Sequence, residues 1–249
     1  MLAENIAFVL VSPKNSGNVG AVARALKNMG FRDLRLVNPR PVNWLDAIQM
    51  ACGAEDLIEQ ARVEASLEGA LSDITWVVGT TARRRRYAKT VSSPQDIART
   101  VVSLSQENRI AFLFGSEKYG LTTQEMSFCH QAVTIPTQED FCSLNLSQAV
   151  MVVAWELFKV FQEGCHHRSN TQPHQPRMAS QDDLQGFFLH LEQVLTEIGF
   201  ITEENSRHMM LSLKEMIRRK AVTGREVRIL RGILRQVQHS RGTSTSRHA

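Results

Sequence analysis

The stretch IPTQEDFCSLNLSQ, residues 135–148, decides how the chain is organised, because it is polar and irregular between two apolar segments. Residues 132–135 have the pattern of a short strand, and residues 144–162 have the apolar spacing of a long amphipathic helix. Ser143, Asn145 and Ser147 fall at the start of that helix, where small polar side chains often cap free N–H groups. Two more loops with a similar mixture of glycine, hydroxyl and charge follow apolar strands elsewhere, which favours a site over capping alone.

Apolar runs alternate with helical patterns through the first two thirds of the chain. Strands are predicted at 6–12, 34–37, 74–78, 110–114 and 132–135, and helices at 19–29, 44–50, 66–71, 95–104, 123–128 and 144–162. This alternation predicts an α/β fold with a mostly parallel sheet covered by helices on both faces. Ligands of such folds lie beyond the carboxyl ends of the strands, so we expect the loops 79–82, 115–121 and 136–143 to converge on one pocket.

The last third of the chain has a different character. Residues 163–181, EGCHHRSNTQPHQPRMASQ, contain two prolines and few large apolar side chains, which indicates a linker. Helices are predicted at 182–198, 206–219 and 225–238. The expected organisation is therefore a larger α/β domain over 1–163, a linker over 164–181, a small all-α domain over 182–239 and a disordered tail over 240–249.

Charge is distributed unevenly along the 249 residues, whose net charge is +4. Residues 1–163 hold 16 Lys and Arg against 17 Asp and Glu, whereas residues 164–249 hold 13 against 8. In the last helix Arg225, Arg228, Arg231 and Arg235 gather opposite the apolar face. A basic face of this kind indicates a polyanionic partner, and nucleic acid is the partner we expect.

Several classes of function find no support in the sequence. No apolar run approaches the roughly 18 residues that span a bilayer, and Met1–Val11 does not resemble a signal peptide, so we expect a cytoplasmic protein. The four cysteines lack CxxC pairing, and Cys165-His166-His167 would need further ligands, so no metal is expected. Phosphate-binding glycine motifs are missing, and His130 has no evident triad partner, so we expect it on the surface.

The remaining possibility is a pocket built from main chain, glycine and small polar groups, which suits a neutral, adenosine-like ligand. Arginines that can clamp phosphate in bidentate geometry occur beside it in the sequence: Arg24, Arg83, Arg84, Arg85 and Arg86. Glu139 and Asp140 are adjacent, so on an extended loop they would point apart and serve as solvated charge.

Three short motifs resemble those of the SpoU branch of the SPOUT RNA methyltransferases. They are Asn18-x-Gly20-x-x-Ala23-Arg24, Phe114-Gly115-Ser116-Glu117-x-x-Gly120-Leu121, and Ile135-Pro136 followed by Ser143-Leu144-Asn145-Leu146-Ser147. Each motif is weak alone, but together, in this order, they cover residues 6 to about 160. The C-terminal segment, including Phe187-Phe188 and Ile229-Leu230-Arg231-Gly232-Ile233-Leu234, further resembles family members that methylate tRNA ribose at position 32 of the anticodon loop.

The resemblance implies a deep trefoil knot, a homodimer, a tRNA partner and S-adenosylmethionine as methyl donor. It places the donor at Thr80, Thr81, Ala82, Gly115, Ile135, Cys142, Ser143 and Leu144. It implies that Arg24 orients and activates the acceptor ribose, while Glu117, Ser143 and Asn145 order the loops. Two alternatives remain at this point: an rRNA methyltransferase of the same class, and an RNA-binding protein with a vestigial donor pocket.

Overall fold

A single parallel sheet forms the centre of the computed structural model, which describes residues 2–40, 43–82, 91–166, 176–202 and 204–245. Within these ranges seven strands pair in the order β3-β2-β1-β6-β4-β7-β5, and every neighbouring pair is parallel. The predicted parallel α/β sheet is thereby confirmed. The strands are β1 Ile6–Val11, β2 Asp33–Val37, β3 Arg62–Glu64, β4 Trp76–Thr80, β5 Val91–Ser92, β6 Ile110–Phe114 and β7 Gln131–Val133.

Helices connect the strands and form the C-terminal part of the chain. Several begin with local capping: the Asn15 side chain accepts from the backbone N–H of Asn18 at the first, and Thr122 and Glu125 form a capping box at the sixth. The helices are α1 Ser16–Asn28, α2 Trp44–Ala51, α3 Glu55–Glu59, α4 Leu67–Leu71, α5 Pro94–Leu104, α6 Thr123–Met126, α7 Leu146–His166, α8 Gln181–Glu197, α9 Ser206–Arg218 and α10 Gly224–Thr245. None of them, within the described ranges, has both the length and the apolar character needed to span a bilayer.

The two faces of the sheet bury separate cores because side chains alternate along a strand. In β1, Ile6, Phe8 and Leu10 pack into a core shared with α1, α5 and α7. The intervening residues Ala7 and Val9 pack into a second core with α4 and the segment around α6. The near-continuous apolar runs of the central strands are what burial on both faces requires.

Several short elements differ from the sequence-based prediction. Strands β3 and β5, helix α3 and two 3-10 helices, Leu2–Asn5 and Glu139–Phe141, were not predicted, because segments of two to five residues carry little periodicity. The linker prediction was too long at its start, since α7 runs to His166. The predicted disordered tail was also wrong over residues 240–245, where α10 continues to Thr245.

The three C-terminal helices share a core of their own and also contact the sheet region. Phe187, Leu184 and Val227 are among the buried residues of that core. The backbone N–H of Gln181 donates to the Ile74 carbonyl at 2.8 Å, and the Arg218 guanidinium donates to the Ser127 carbonyl. These contacts fix the C-terminal helices against the face of the sheet that α4 covers.

An ionic cluster lies at the amino ends of the strands, at the edge opposite the predicted site. Arg35 is 1% exposed, and its guanidinium pairs with Asp33 at 2.6 Å and with Asp73 at 2.5 Å. Arg109 pairs with the same two carboxylates, at 3.0 Å and 2.5 Å. Burial opposes ionisation of Asp73, but the hydrogen bond and charge of Arg35 and the charge of Arg109 prevail and lower the pKa of Asp73.

Replacing Arg35 with Met is expected to destabilise the protein by about 3–5 kcal/mol at neutral pH, because it leaves the two carboxylates with Arg109, and Asp73 also with the more distant Arg62 at 3.8 Å, as remaining cationic partners. Urea denaturation measures the change. Arg32→Met is the matched control: Arg32 is exposed, so its replacement should alter the free energy of unfolding by no more than about 0.5 kcal/mol.

The effect of Arg35→Met should also depend on pH. A carboxyl group whose pKa is lower in the folded than in the unfolded protein stabilises the fold at pH values above its unfolded pKa of about 3.9. This contribution is lost as the pH falls through the lowered pKa of the folded state. The difference in stability between wild type and Arg35→Met should therefore shrink below about pH 4. A difference that stayed constant down to pH 2 would contradict the assigned role of Asp73.

Candidate functional site

A cavity of about 360 Å³ lies beyond the carboxyl ends of β4, β6 and β7. Its wall combines small polar groups with the apolar side chains of Val133, Leu146 and Ala149. A mixed, mostly neutral lining of this kind suits a small organic ligand held partly by main-chain groups. All eight residues predicted to hold the donor line this cavity: Thr80, Thr81, Ala82, Gly115, Ile135, Cys142, Ser143 and Leu144.

The loop after β6 is folded so tightly that only glycine fits at its start. A Cβ placed on Gly115 would lie 2.0 Å from the carbonyl carbon of Gly120 and 2.2 Å from the backbone nitrogen of Leu121. The loop closes through a hydrogen bond of 2.8 Å from the Gly120 N–H to the Ser116 carbonyl, with Gly120 at φ +66°. Residues 115–121 thus form one compact wall of the cavity.

The Glu117 carboxylate connects this loop to the segment that begins α1. It accepts the backbone N–H of Lys14 at 3.1 Å and that of Asn15 at 3.1 Å. It also accepts the side-chain Nδ2 of Asn18 at 3.1 Å. The first and second motifs are therefore joined directly through one charged side chain.

Asn145 extends the same network to the third motif. Its Nδ2 donates to Asn18 Oδ1 at 3.0 Å, while its Oδ1 accepts the N–H and the hydroxyl of Ser147 at 2.9 and 2.7 Å. Asn18 is thus bonded on one side to Glu117 and on the other to Asn145. The structure brings three motifs that are far apart in sequence into one chain of hydrogen bonds.

The environment of Glu117 keeps its carboxylate ionised. Partial burial raises the pKa of Glu117, but the hydrogen bonds from the Asn18 side chain and from backbone N–H groups outweigh it and lower the pKa overall. A carboxylate that already accepts this many hydrogen bonds is a poor proton acceptor. The geometry therefore gives Glu117 a positioning role.

A second, more polar cavity of about 580 Å³ adjoins the first. It is lined by residues 14–18 at the start of α1, by Asp46 and by residues 143–146. Glu117, Ser143, Leu144 and Leu146 line both cavities, so these four residues form the boundary between them. Lys14, Asn15 and Asp46 were not predicted from sequence. The first two are separated from the first motif by three and two residues, and that proximity was the only signal available for them.

Arg24 lies apart from both cavities. It is exposed on α1, well beyond the residues at that helix start that line the polar cavity, and it lines neither cavity. The glycine of the same motif has a structural explanation, because a Cβ on Gly20 would lie 2.0 Å from the Ala47 carbonyl oxygen of α2. The structure therefore does not bring Arg24 together with the rest of the predicted site of its own chain.

The predicted RNA-binding arginines fall in two groups. Arg83, Arg84, Arg85 and Arg86 lie outside the described residues. Arg225, Arg228, Arg231 and Arg235 are all exposed on α10, whose buried side includes Val227 and Leu234. Ile233, predicted on the apolar face, is instead 55% exposed beside these arginines.

The surface placement predicted for His130 was wrong. Its ring is buried, stacked on Trp76 with centroids 4.7 Å apart, and its Nδ1 accepts the Val77 N–H at 3.0 Å. The residue directly precedes β7 and continues the pairing with β4. His130 is therefore part of the packing of the sheet and is not among the residues that line either cavity.

Gly115→Ala is expected to destabilise the protein by about 1–3 kcal/mol, because the new Cβ overlaps backbone atoms that cannot move without opening the loop. The hydrogen-exchange rate of the Gly120 amide should rise in the same variant. Gly186→Ala is the control: its nearest neighbouring atom would be Arg231 Nη1 at 3.8 Å, so alanine in that helix should be neutral or mildly stabilising. Equal stability of the two variants would show that the loop is not as constrained as described.

Comparison with known proteins adds independent information. The model of the SpoU rRNA methylase family matches residues 5–155, and that of the TrmJ tRNA methyltransferase C-terminal domain matches residues 182–248. The tRNA (cytidine/uridine/adenosine-2′-O-)-methyltransferase TrmJ of Pseudomonas aeruginosa is 37% identical, with 99% of each chain covered. The tRNA (cytidine/uridine-2′-O-)-methyltransferase TrmJ of Escherichia coli K12 is 35% identical, with 95% of this chain and 96% of the relative covered.

Solved structures agree with the sequence relatives. TrmJ from Z. mobilis superposes with a TM-score of 0.82 at 32% identity, covering 93% of this chain and 98% of the other. The fold is also shared with the SpoU methyltransferase AviRb of Streptomyces viridochromogenes, solved with the cofactor AdoMet, at a TM-score of 0.51 and 21% identity over 65% of this chain and 62% of that one. The three motifs, the arrangement that joins them and the full-length similarity lead to one conclusion: the chain belongs to the SpoU methylase family, in its group of TrmJ methyltransferases.

Proposed function

We propose that the chain transfers the methyl group of S-adenosylmethionine to the 2′-hydroxyl of a ribose in tRNA, at nucleotide 32 of the anticodon loop. One observation carries the proposal: eight residues from three loops that are far apart in sequence line one cavity, and that cavity shares Ser143 with a polar neighbour. tRNA methylation at a ribose 2′-oxygen is also the activity named for the full-length relatives. An rRNA substrate is the second candidate, supported by the name of the matching family.

The donor cavity has the chemistry that S-adenosylmethionine requires. Its volume of about 360 Å³ falls in the range of small-molecule sites, and Ile135, Leu144 and Leu146 offer apolar contact for an adenine ring. Main-chain groups of Thr81, Gly115 and Cys142 lie at the wall and can bind the polar parts of the ligand. We propose that Cys142 contributes through its backbone, since its side chain is exposed.

The reaction asks the protein mainly to position two reactants. If bound, S-adenosylmethionine would supply an electrophilic methyl carbon: the 2′-oxygen would bond to this carbon as its bond to sulfur breaks, S-adenosylhomocysteine would leave, and the hydroxyl proton would be released to water. Ser143 lies where the two cavities meet, so we place the acceptor ribose there. Glu117 and Asn145 hold the loops on which this alignment depends.

We propose that two chains pair and that each supplies Arg24 to the other's site. Arg24 lies away from the cavities of its own chain, so an arginine that orients the acceptor must approach from a partner. Trp155 on α7 is 46% exposed, and Phe141 beside the donor cavity is 80% exposed; both offer apolar area for such pairing.

Other expected properties follow from the family and remain proposals. We propose that the chain around the donor cavity is tied in the deep trefoil knot of this fold. We assign residues 1–163 to the methyltransferase domain, and residues 182–239 to a helical tRNA-binding domain. We further propose that the enzyme acts in the cytoplasm and uses no metal ion.

Methyl transfer tests the function directly. Labelled S-adenosylmethionine is incubated with unmodified bulk tRNA or with rRNA, and the modified nucleotide is mapped. We expect label in tRNA at the 2′-oxygen of nucleotide 32. Label confined to rRNA would select the second candidate, and donor binding without transfer would indicate a vestigial site.

Arg24→Ala should lower methyl transfer by at least about 100-fold while leaving affinity for S-adenosylhomocysteine within about twofold, because Arg24 lies outside the donor cavity. Asn145→Ala should instead lower that affinity, because Asn145 connects the third motif to Asn18. Calorimetry measures the affinity for S-adenosylhomocysteine, and initial rates measure methyl transfer, in both variants. Equal losses of affinity and rate in Arg24→Ala would place this arginine in the donor pocket.

Mixing equal amounts of Arg24→Ala and Asn145→Ala, at a donor concentration too low to fill the weakened Asn145→Ala site, tests whether Arg24 acts across a dimer. After chain exchange, half of the dimers are mixed, and each mixed dimer holds one site with both residues intact if Arg24 comes from the partner. Activity should then return to about a quarter of the wild-type value. No recovery, with exchange verified by mass, would show that Arg24 serves its own chain.

Replacing Arg225, Arg228, Arg231 and Arg235 with Gln should weaken tRNA binding and flatten its salt dependence. For every arginine that no longer neutralises a phosphate, the slope of log affinity against log salt should fall by roughly 0.7–0.9. The arginines are exposed on α10, so the fold and donor binding should persist. An unchanged slope would move recognition to residues elsewhere in the chain.

A further inference from the structure

A third cavity, of about 630 Å³, lies away from the donor site, where α8 and α9 meet the sheet region. One side is formed by α6 and the residues just after it, including Thr123 and Phe128. The other side is formed by α8 and α9, including Phe188, Lys214 and Arg218. The predicted RNA-binding arginines of α10 do not line it.

Arg218 is the unusual feature of this cavity. It is 4% exposed, and its guanidinium donates to the Ser127 carbonyl and to Gln181 Oε1, while its Nε has no hydrogen-bond partner. The Cζ atom of Arg218 lies 4.9 Å from the ring centroid of Phe128 and 5.2 Å from that of Phe188, so the guanidinium makes cation–π contacts with both rings. Among the described residues it makes no ion pair within 4.0 Å.

A buried arginine without an ion pair is costly, because its charge is removed from water. The negative charge of Glu68, which also lines the cavity, favours the charged form of Arg218 but does not outweigh burial. Burial lowers the pKa of Arg218 to about 10, and the group therefore still carries its proton at neutral pH. The structure thus maintains a positive charge at the wall of a cavity, where an incoming anion would compensate it.

The other charged groups of the cavity leave a positive excess. Lys214 is half-buried, with its amine 5.9 Å from the centre of the Phe188 ring, and Arg207 is exposed at the rim. Two carboxylates, Glu68 and Glu192, also line the cavity. Glu192 accepts the hydroxyl of Ser206 at 2.8 Å. Three cations against two carboxylates make the cavity suitable for one anionic group.

We propose that this cavity binds a phosphate group of the RNA substrate, held by Lys214 and Arg207 and compensating the buried charge of Arg218. The proposal rests on the proposed action on tRNA. RNA is the source that the size of the cavity favours, since a free phosphate would fill a small part of 630 Å³, and the C-terminal third has excess positive charge.

The position of the cavity gives this contact a consequence for the reaction. Thr123 and Phe128 line it, and the same segment of chain begins at Leu121, which lines the donor cavity. RNA held here would therefore contact the continuation of the loop that forms the donor wall. The cavity and the arginine face of α10 would then be two separate RNA contacts on the C-terminal helices.

Lys214→Met in the full chain tests the proposal, with Arg219→Met as matched control. Arg219 is exposed at the end of the same helix and does not line the cavity. Fluorescence anisotropy with unmodified tRNA should show affinity roughly tenfold lower for Lys214→Met. Its salt slope should be smaller by roughly 0.7–0.9, whereas Arg219→Met should change both much less. Thermal unfolding must show both variants folded, and Arg207→Met, at the exposed rim, provides a second variant if Lys214→Met is unstable.

Two further measurements separate the possible outcomes. Titration with inorganic phosphate should show weak binding, and phosphate at physiological concentration should not compete with tRNA. Tight phosphate binding that disappears in Lys214→Met, with tRNA affinity unchanged, would overturn the RNA assignment. Equal tRNA affinities of Lys214→Met and Arg219→Met would overturn it as well. The labelled methyl-transfer assay on the wild type reports the proposed function independently, so failure of the cavity proposal leaves that function standing.

Discussion

The arrangement of the site depends on the hydrogen bonds that the Glu117 carboxylate accepts. They join the loop after β6 to the segment that starts α1. Asn18, which donates to Glu117, also accepts a hydrogen bond from Asn145. Three loops that would otherwise move separately are thereby held around one cavity by the protein's own groups. The cost of partly burying a carboxylate is offset by these donors, which is why the group stays ionised and serves as a fixed connector.

The amino-acid sequence predicted the α/β class and the central strands because burial on both faces demands long apolar runs, as in β1 and β6. It did not predict β3 or β5, which have three and two residues. Strand order was also beyond it, since the pairing of Ile6 with Ile110 joins residues about a hundred positions apart. Such pairing is decided by three-dimensional packing and leaves no local pattern in the chain.

The residues that line the cavity beyond β4, β6 and β7 could be predicted because they lie in loops after strands and near motifs that resemble a known family. The hydrogen-bond partners of Glu117 could not be predicted from the sequence, because two of them are backbone N–H groups, which carry no sequence signature. The burial of His130 and Arg218 was missed for a related reason: both are polar residues whose places depend on packing between distant segments. The distance of Arg24 from both cavities likewise emerged only from the fold.

A double-mutant cycle on donor binding tests the central claim most directly. The free energy of binding S-adenosylhomocysteine is measured for wild type, Glu117→Gln, Asn145→Ala and the double variant. Because both residues act through Asn18, their effects should be non-additive, with a coupling energy of at least about 1 kcal/mol. Additive losses, within about 0.3 kcal/mol, would contradict the account and show that the loops are positioned independently.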